Sequence, residues 1–163
     1  MSENHLNIQE RTVMATKLEM AIYMTGLRYD EGLQLIPHKV PNGPWTIGYG
    51  HKLSKTELRR VKQITLEQAE KLLLEDTVKA ICDARVVCEN FDVLSLPRKS
   101  VIVNMAFHLG RHKLKRLKKF LTAVDRYNYD AATAAMLRAK WLRGARARRL
   151  IGLMQHESDI AIN

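Results

Sequence analysis

The residues best suited to chemistry are a carboxylate and a hydroxyl that lie fifteen positions apart. Glu31 stands where a helical pattern ends, and Thr46 opens the segment TIGYGH at 46–51. Between them, Asn42-Gly43 is the dipeptide that most readily forms a tight hairpin turn. Such a hairpin would fold Thr46 back toward the helix end, and the two glycines of TIGYGH would allow a close approach of the backbone. The pattern predicts a cleft wall with one acid and one hydroxyl, which suits acid–base chemistry.

Other kinds of catalytic or metal site have no pattern in the sequence. It contains no phosphate-binding loop and no nucleophile elbow, and its six histidines are scattered. His108 and His112 lie four positions apart, but Gly110 between them argues against a shared helical face. We therefore expect neither a metal ion nor another cofactor.

The elements that must position Glu31 and Thr46 predict a mostly helical α+β fold. Helical spacing runs from Leu18 to Tyr29, and residues 33–51 form the one convincing β segment, a hairpin that a third strand could extend. After a polar, basic connector, Thr65 with Gln68 is a capping-box pattern. It begins a helix of more than twenty residues, which would span roughly 30 Å and could join two lobes.

The rest of the chain predicts a lobe of helices. Pro97 suits a first helical turn, and Gly110 fits the end of the apolar stretch that follows it. Three more helices are predicted at 114–124, at 131–142 with a cap at Asn128 or Asp130, and at about 146–155. We expect a flexible extension over residues 1–16 and one domain over 17–163. That domain divides into an N-terminal lobe (17–64), a connecting helix (65–88) and a C-terminal helical lobe (89–163).

The charge of the protein is strongly positive and indicates which kind of partner it attracts. The 163 residues carry a net charge of +10, and basic residues cluster at 111–119 and 138–149. These clusters predict attraction to a polyanion, whether nucleic acid, anionic lipid or an anionic cell wall.

Cys82 and Cys88 are expected to be free thiols, because on a helix they would lie about 9 Å apart along the axis and on different faces. With no visible secretory signal or membrane span, synthesis in a cytosol is expected.

Four motifs stand in order along the chain. They are EGL at 31–33 with TIGYGH, TLEQAEKLLLED at 65–76, NMAFHLG at 104–110, and Trp141 followed by RARRLI at 146–151. Together they resemble the phage-type lysozymes, the endolysin muramidases of glycoside hydrolase family 24, over roughly residues 18–155. The resemblance implies a lysozyme-like fold. It also implies cleavage of the β-1,4 bond between N-acetylmuramic acid and N-acetylglucosamine in bacterial peptidoglycan.

The resemblance also implies roles for individual residues. Glu31 falls on the general acid that protonates the glycosidic oxygen, and Thr46 on a hydroxyl that positions the attacking water or the sugar. Arg146 falls on a basic residue that faces the glutamate across the cleft. His51 and Asp76 fall on positions that form a structural ion pair. Two aromatic residues look like core residues of the helical lobe without a catalytic role, Phe107 and Trp141.

One position departs from the family pattern. The family usually carries an Asp nine residues after the Glu, and here that residue is Val40; no Asp or Glu occurs between Glu31 and Glu57. Inverting glycosidases need a second carboxylate to activate water. Three readings follow: weakened hydrolysis with Glu31 as the main catalytic group, a lytic transglycosylase that needs one carboxylate, or a catalytically silent peptidoglycan-binding module. An engineered replacement at position 40 is a fourth.

The resemblance and the charge together suggest where the protein acts. We expect a monomer that binds bacterial peptidoglycan and an anionic envelope surface. It would be made in the host bacterial cytoplasm and reach the wall after release, or be carried in a virion. A basic helical nucleic-acid-binding protein is the remaining alternative, but it would leave TIGYGH unexplained, so no specific nucleic-acid binding is expected.

Overall fold

The fold is that of a mostly helical α+β protein with one small sheet near the N-terminus, as the sequence predicts. The computed structural model describes residues 8–156, with side chains from residue 16 onward. The strands are β1 (Gln34–Lys39), β2 (Trp45–Gly48) and β3 (His51–Lys52). The helices are α1 (Ile8–Glu31), α2 (Lys55–Arg60), α3 (Leu66–Val87), α4 (Leu96–Leu109), α5 (Arg111–Lys115), α6 (Lys118–Asp125), α7 (Tyr129–Leu137) and α8 (Gly144–Gln155).

The sheet is antiparallel in the order β1-β2-β3, so the predicted hairpin and its third strand are confirmed. The turn between β1 and β2 is closed by hydrogen bonds from the Val40 amide to the Pro44 carbonyl (3.1 Å) and from the Gly43 amide to the Val40 carbonyl (2.9 Å). Asn42 adopts a positive φ of 53° in this turn, a conformation that Asn tolerates better than most residues. The hairpin turn is therefore present, but its central residues are Pro41 and Asn42 rather than the predicted Asn42 and Gly43.

Helix α3 joins the two lobes. Its capping box is present, because the Gln68 amide donates to Thr65 Oγ1 (3.1 Å) and the Thr65 amide donates to Gln68 Oε1 (2.8 Å). The N-terminal half of α3 buries Leu73 in a small core with Leu27 and Tyr49. Its C-terminal half packs into the larger core of the helical lobe. One helix thus belongs to both hydrophobic cores, which fixes the lobes relative to each other.

Helix α4 is the centre of the C-terminal lobe. It packs against α1, α3 and α8, and six consecutive residues, 101–106, are buried. A helix that is apolar on nearly all sides must be surrounded by other helices, and this accounts for the weak periodicity of its sequence. Cys82 is exposed and Cys88 is buried, and the two are not linked, so the prediction of free thiols is confirmed.

Several predicted boundaries were wrong. The connector contains helix α2, whose Ser54–Glu57 capping box gives the only sequence signal, because none of its residues is buried. The predicted helix at 114–124 is two helices, interrupted at Leu117, where ψ is 52°. The predicted helix at 131–142 ends at Leu137, and the last helix begins at Gly144. Between these two helices the chain is not helical and buries Leu142 in the core. Local periodicity does not predict this burial.

The first helix also differs from its prediction. Helix α1 begins at Ile8 rather than Leu18, so it extends into the segment 1–16 that was predicted to be a flexible extension. That segment contains good helix formers but no apolar stripe, so propensity rather than amphipathicity favours the helix there. Residues 1–7 lie outside the described part of the chain, and for them the extension stays a prediction.

Candidate active site

A cleft of about 400 Å³ lies between the sheet and the C-terminal lobe. Glu31 enters it from the last residue of α1, next to Gly32, where the chain leaves the helix with a φ of 68°. The sheet supplies one wall, with Thr46 on β2 and Val40 just after β1. The helical lobe supplies the other wall, from the end of α4. The folding of the hairpin thus brings Glu31 and Thr46 into one cleft, as the sequence pattern predicts.

Glu31 is held by an arginine from the far end of the chain. Arg146 on α8 donates from Nη2 to Glu31 Oε1 (2.8 Å) and to the Asp30 carbonyl (2.9 Å). The Glu31 side chain is 15% exposed, so its carboxylate is largely enclosed but still reaches the cleft. The predicted proximity of Arg146 to Glu31 is therefore a direct charge-assisted hydrogen bond.

Behind Glu31 lies a buried carboxylate that the sequence analysis passed over. The Asp30 side chain is 1% exposed. It forms a salt bridge with Arg149 and accepts a hydrogen bond from Asn104 Nδ2 (2.8 Å). These partners come from α8 and α4, so the end of α1 is tied to two helices of the other lobe. The sequence contains both sides of these ion pairs, as the consecutive carboxylates Asp30 and Glu31 and as the basic run RARR at 146–149.

The helical wall of the cleft contains a stack of aromatic rings. His108 Nδ1 lies 2.7 Å from Arg146 Nη1 and 3.6 Å from Glu31 Oε1. The His108 ring stacks on Trp141, with 5.6 Å between the ring centroids. Phe107 and Trp141 pack against the C-terminal core, as predicted. Phe107 also lines the cleft, so it belongs to the site as well as to the core.

The sheet wall pairs Thr46 with a histidine that the sequence analysis did not single out. His38 on β1 is the direct cross-strand partner of Thr46. Thr46 Oγ1 lies 3.2 Å from His38 Nε2 and 3.5 Å from His38 Nδ1, so the hydroxyl lies over the face of the imidazole ring, and both residues line the cleft. Val40, also in the lining, presents an apolar side chain where a carboxylate was expected. Glu31 is the one carboxylate among the described residues that line the cleft.

Comparison with known proteins agrees with this geometry. Residues 28–159 match the family model described as phage lysozyme. The chain belongs to the phage lysozyme family. Two relatives from Dictyostelium discoideum, named "Probable T4-type lysozyme 2" and "Probable T4-type lysozyme 1", are 22% and 23% identical to this chain. Each alignment covers 71% of this chain and 81% of the relative.

Family membership confirms the resemblance seen in the four sequence motifs, and glycoside hydrolase family 24 is consistent with it. A phage lysozyme match supports a lysozyme-type function that degrades peptidoglycan. Every residue that lines the cleft falls between 31 and 113, so the whole cleft lies within the matched residues.

His51 and Asp76 lie together, outside the lining of the lysozyme cleft. His51 Nδ1 is 2.8 Å from Asp76 Oδ2, which ties β3 to α3. The hydrogen bond with Asp76 raises the pKa of His51 above its usual value of 6.5. Both residues line a separate, smaller cavity. The pair is placed to brace the sheet against the connecting helix rather than to contact substrate at Glu31.

Asp76→Asn is expected to lower the free energy of unfolding more at pH 5.5 than at pH 9. Because folding raises the pKa of His51, the protonated pair stabilises the fold fully below about pH 6.5 and loses this effect as the pH rises through the folded pKa. Urea unfolding at both pH values measures the difference, with NMR titration of His51 as the direct readout. An equal loss at both pH values would show that no protonated pair contributes.

Gly50, between β2 and β3, lies close to the Glu31 carboxylate. A Cβ placed on Gly50 would lie 3.4 Å from Glu31 Oε2, and the residue has a φ of 82°. Gly50→Ala is therefore expected to lower stability by about 1–2 kcal/mol through backbone strain. It should also reduce lytic activity, because the added methyl group would stand in contact with the Glu31 carboxylate inside the cleft. Gly152→Ala, where the added methyl meets nothing within 4 Å, is the matched control and should keep activity.

Two other features are absent from the described residues. None of their His, Cys, Asp and Glu side chains forms a group of three that could hold a metal ion. No helix within residues 8–156 has the length and hydrophobicity needed to cross a membrane. A separate cavity of about 680 Å³ lies in the C-terminal lobe beside α6 and α7 and has no lining residue in common with the cleft.

Proposed function

We propose that this phage lysozyme hydrolyses the β-1,4 bond between N-acetylmuramic acid and N-acetylglucosamine in peptidoglycan, with Glu31 as the general acid. One observation carries the proposal. Glu31 is the one carboxylate that the described residues present to the cleft, and it is held there by Arg146. The peptidoglycan-degrading function of the family supports the choice of substrate.

The contacts of Glu31 suggest which oxygen delivers the proton. Oε1 accepts the hydrogen bond from Arg146 and lies nearest to His108. Oε2 lies on the side of the sheet, next to Gly50. In the proposed reaction, protonated Oε2 donates to the glycosidic oxygen as the bond from C1 of the muramic acid residue to that oxygen breaks. General acid catalysis of this kind contributes roughly 100- to 10,000-fold to a rate.

A second candidate is a lytic transglycosylase, which Val40 favours because that reaction needs no second carboxylate. Here Glu31 first protonates the leaving oxygen. The C6 hydroxyl of the muramic acid residue then attacks C1 and returns its proton to Glu31, which leaves a 1,6-anhydro end. Water takes no part in this reaction, so the products distinguish it from hydrolysis.

Digestion of purified peptidoglycan, followed by mass spectrometry of the soluble products, tests both candidates. Muropeptides with reducing ends support the proposed hydrolysis. Muropeptides with 1,6-anhydro ends support the transglycosylase. Retention of the protein on peptidoglycan with no release of muropeptides would contradict both, and would identify a binding module.

The route to the wall is a further proposal. Exposed basic side chains lie on α5, at the start of α6 and between the two helices, at Lys113, Lys115, Arg116, Lys118 and Lys119. We propose that these side chains attract the enzyme to an anionic envelope. The enzyme would reach the envelope after release from the host bacterial cytoplasm, or from a virion, and act as a monomer. Envelope binding that weakens steeply with added salt would support this attraction.

A further inference from the structure

Arg146 has acceptors at both of its terminal nitrogens. Its Nη2 donates to Glu31 Oε1 (2.8 Å) and to the Asp30 carbonyl (2.9 Å). Its Nη1 lies 2.7 Å from His108 Nδ1. Because a guanidinium group is planar and rigid, contacts at both nitrogens set its orientation as well as its position. His108 thus completes the set of acceptors, from α1 and α4, that holds this arginine against Glu31.

The contact with Arg146 determines where the proton of His108 lies. A guanidinium group has only N–H donors and no acceptor, so His108 Nδ1 accepts the hydrogen bond through a free lone pair. In a neutral imidazole the other nitrogen, here Nε2, then carries the proton. An imidazolium has an N–H on both nitrogens and accepts no hydrogen bond. The arrangement around Glu31 therefore requires neutral His108.

Stacking on an aromatic ring holds the imidazole in the orientation that this contact needs. The ring centroids of His108 and Trp141 lie 5.6 Å apart, with 27° between the ring planes. Trp141 packs against the core of the helical lobe, and His108 is the next-to-last residue of α4. The imidazole is thus attached to well-packed structure. Its side chain is still 37% exposed, so protons from solvent reach it.

We propose that neutral His108 is a positioning residue for the general acid, and that uptake of a second proton by His108 releases Arg146 from Glu31. This inference rests on the proposed function of Glu31. With His108 protonated, two cations would face each other across 2.7 Å with no hydrogen bond between them, and they would repel. The new Nδ1–H would then face Glu31 Oε1, which is 3.6 Å away, so the carboxylate would exchange the arginine for the imidazolium.

The proposal predicts a fall in rate on the acid side of the pH profile. Protonation of Glu31 by itself only favours the reaction, so Glu31 alone would give a rate that rises or levels off as the pH falls. Imidazole is the side chain that ordinarily changes charge between about pH 5 and 8. The charged or titratable groups that surround His108 come from five elements: Glu31 on α1, His38 on β1, Lys52 on β3, Lys113 on α5 and Arg146 on α8.

His108→Gln and His108→Lys test the role of His108, with His112→Gln, an exposed histidine on α5, as the matched control. The values of kcat and KM are measured on soluble glycan strands between about pH 5 and 8, with circular dichroism at each pH to verify folding. For the wild type we expect kcat to fall roughly 10- to 100-fold toward the acid end, as for a misplaced catalytic group, with little change in KM.

The two variants at position 108 should behave in opposite ways. The Gln carbonyl accepts the hydrogen bond from Arg146 but takes up no proton. His108→Gln should therefore keep kcat within about threefold of the wild type at the alkaline end and lose the fall toward acid. His108→Lys places a cation beside Arg146 and should lower kcat roughly 10- to 100-fold at the alkaline end. His112→Gln should retain the wild-type profile, and His38→Gln should retain the fall toward acid.

Nitrogen NMR of the imidazole gives a readout that does not depend on catalysis. In the wild type at the alkaline end, the spectra should show the His108 proton on Nε2 and a lone pair on Nδ1. A proton on Nδ1 would overturn the proposal, because Arg146 could not then donate to that atom. A fall toward acid that persists in His108→Gln would also overturn it, as would a His108→Lys variant with wild-type kcat.

Failure of this proposal and failure of the proposed function give different results. In each of the three contrary cases above, cleavage that depends on Glu31 stands and only the role of His108 is lost. A wild type that releases no muropeptides at any pH would instead contradict the proposed function, and with it the positioning role in catalysis. The position of the His108 proton would still be read from the spectra.

Discussion

Glu31→Gln is expected to abolish measurable release of muropeptides while leaving the fold intact. The amide keeps the size of the side chain and can still accept the hydrogen bond from Arg146, but it has no acidic proton to give to the glycosidic oxygen. Loss of a general acid lowers a rate by about 100- to 10,000-fold. In both candidate reactions Glu31 delivers the first proton, so the variant should be inactive in either case.

The matched control is Glu67→Gln, which removes an exposed carboxylate from the first turn of α3, outside the cleft lining. Product release is measured by mass spectrometry from equal amounts of folded protein. The control should keep wild-type release. If Glu31→Gln released muropeptides at a rate within a few-fold of wild type, the assignment of the general acid would be wrong.

Arg149→Met is expected to lower the free energy of unfolding by about 3–5 kcal/mol. Arg149 forms the salt bridge with Asp30, whose side chain is 1% exposed. Removing one partner of a buried pair leaves the other charge poorly compensated in a place that water does not reach. Asn104 still donates to Asp30, and the nearest Arg146 nitrogen is 3.8 Å away, so the expected loss lies toward the lower end of this range. Urea unfolding measures it.

Adding Asp30→Asn to this variant should recover part of the loss, because the double variant no longer buries an unpaired charge. Arg148→Met, on the same helix but exposed, is the matched control and should change stability by less than about 0.5 kcal/mol. A loss below about 1 kcal/mol for Arg149→Met would show that Asp30 does not depend on this arginine.

The arginine contacts of Asp30 and Glu31 link stability to the proposed chemistry. Asp30 and Glu31 are consecutive, and the two arginines that hold them, Arg149 and Arg146, come from one helix turn of α8. The sequence analysis interpreted the basic cluster at 138–149 as a surface that attracts a polyanion. The structure divides this cluster, since Arg146 and Arg149 are committed to internal carboxylates while Arg138, Lys140, Arg143 and Arg148 are exposed.

Features that depend on local sequence could be predicted. A tight turn around Asn42, the Thr65–Gln68 capping box and the end of α4 at Gly110 each follow from a few adjacent residues whose backbone preferences are strong. From these elements and the four motifs, the sequence alone determined the fold class, the family and a cleft wall that contains Glu31 and Thr46.

Features that depend on register or on distant contacts were decided by the tertiary structure. The register shift between Gln34 and His38 depends on how β1 pairs with β2, so the strand sequence alone did not place His38 opposite Thr46. The partners of Asp30 lie 74 and 119 positions away along the chain. The helix ends near Leu117 and Leu137 depend on which side chains the core can bury. Local patterns record backbone preference and amphipathicity, whereas these contacts arise only when separate elements pack together.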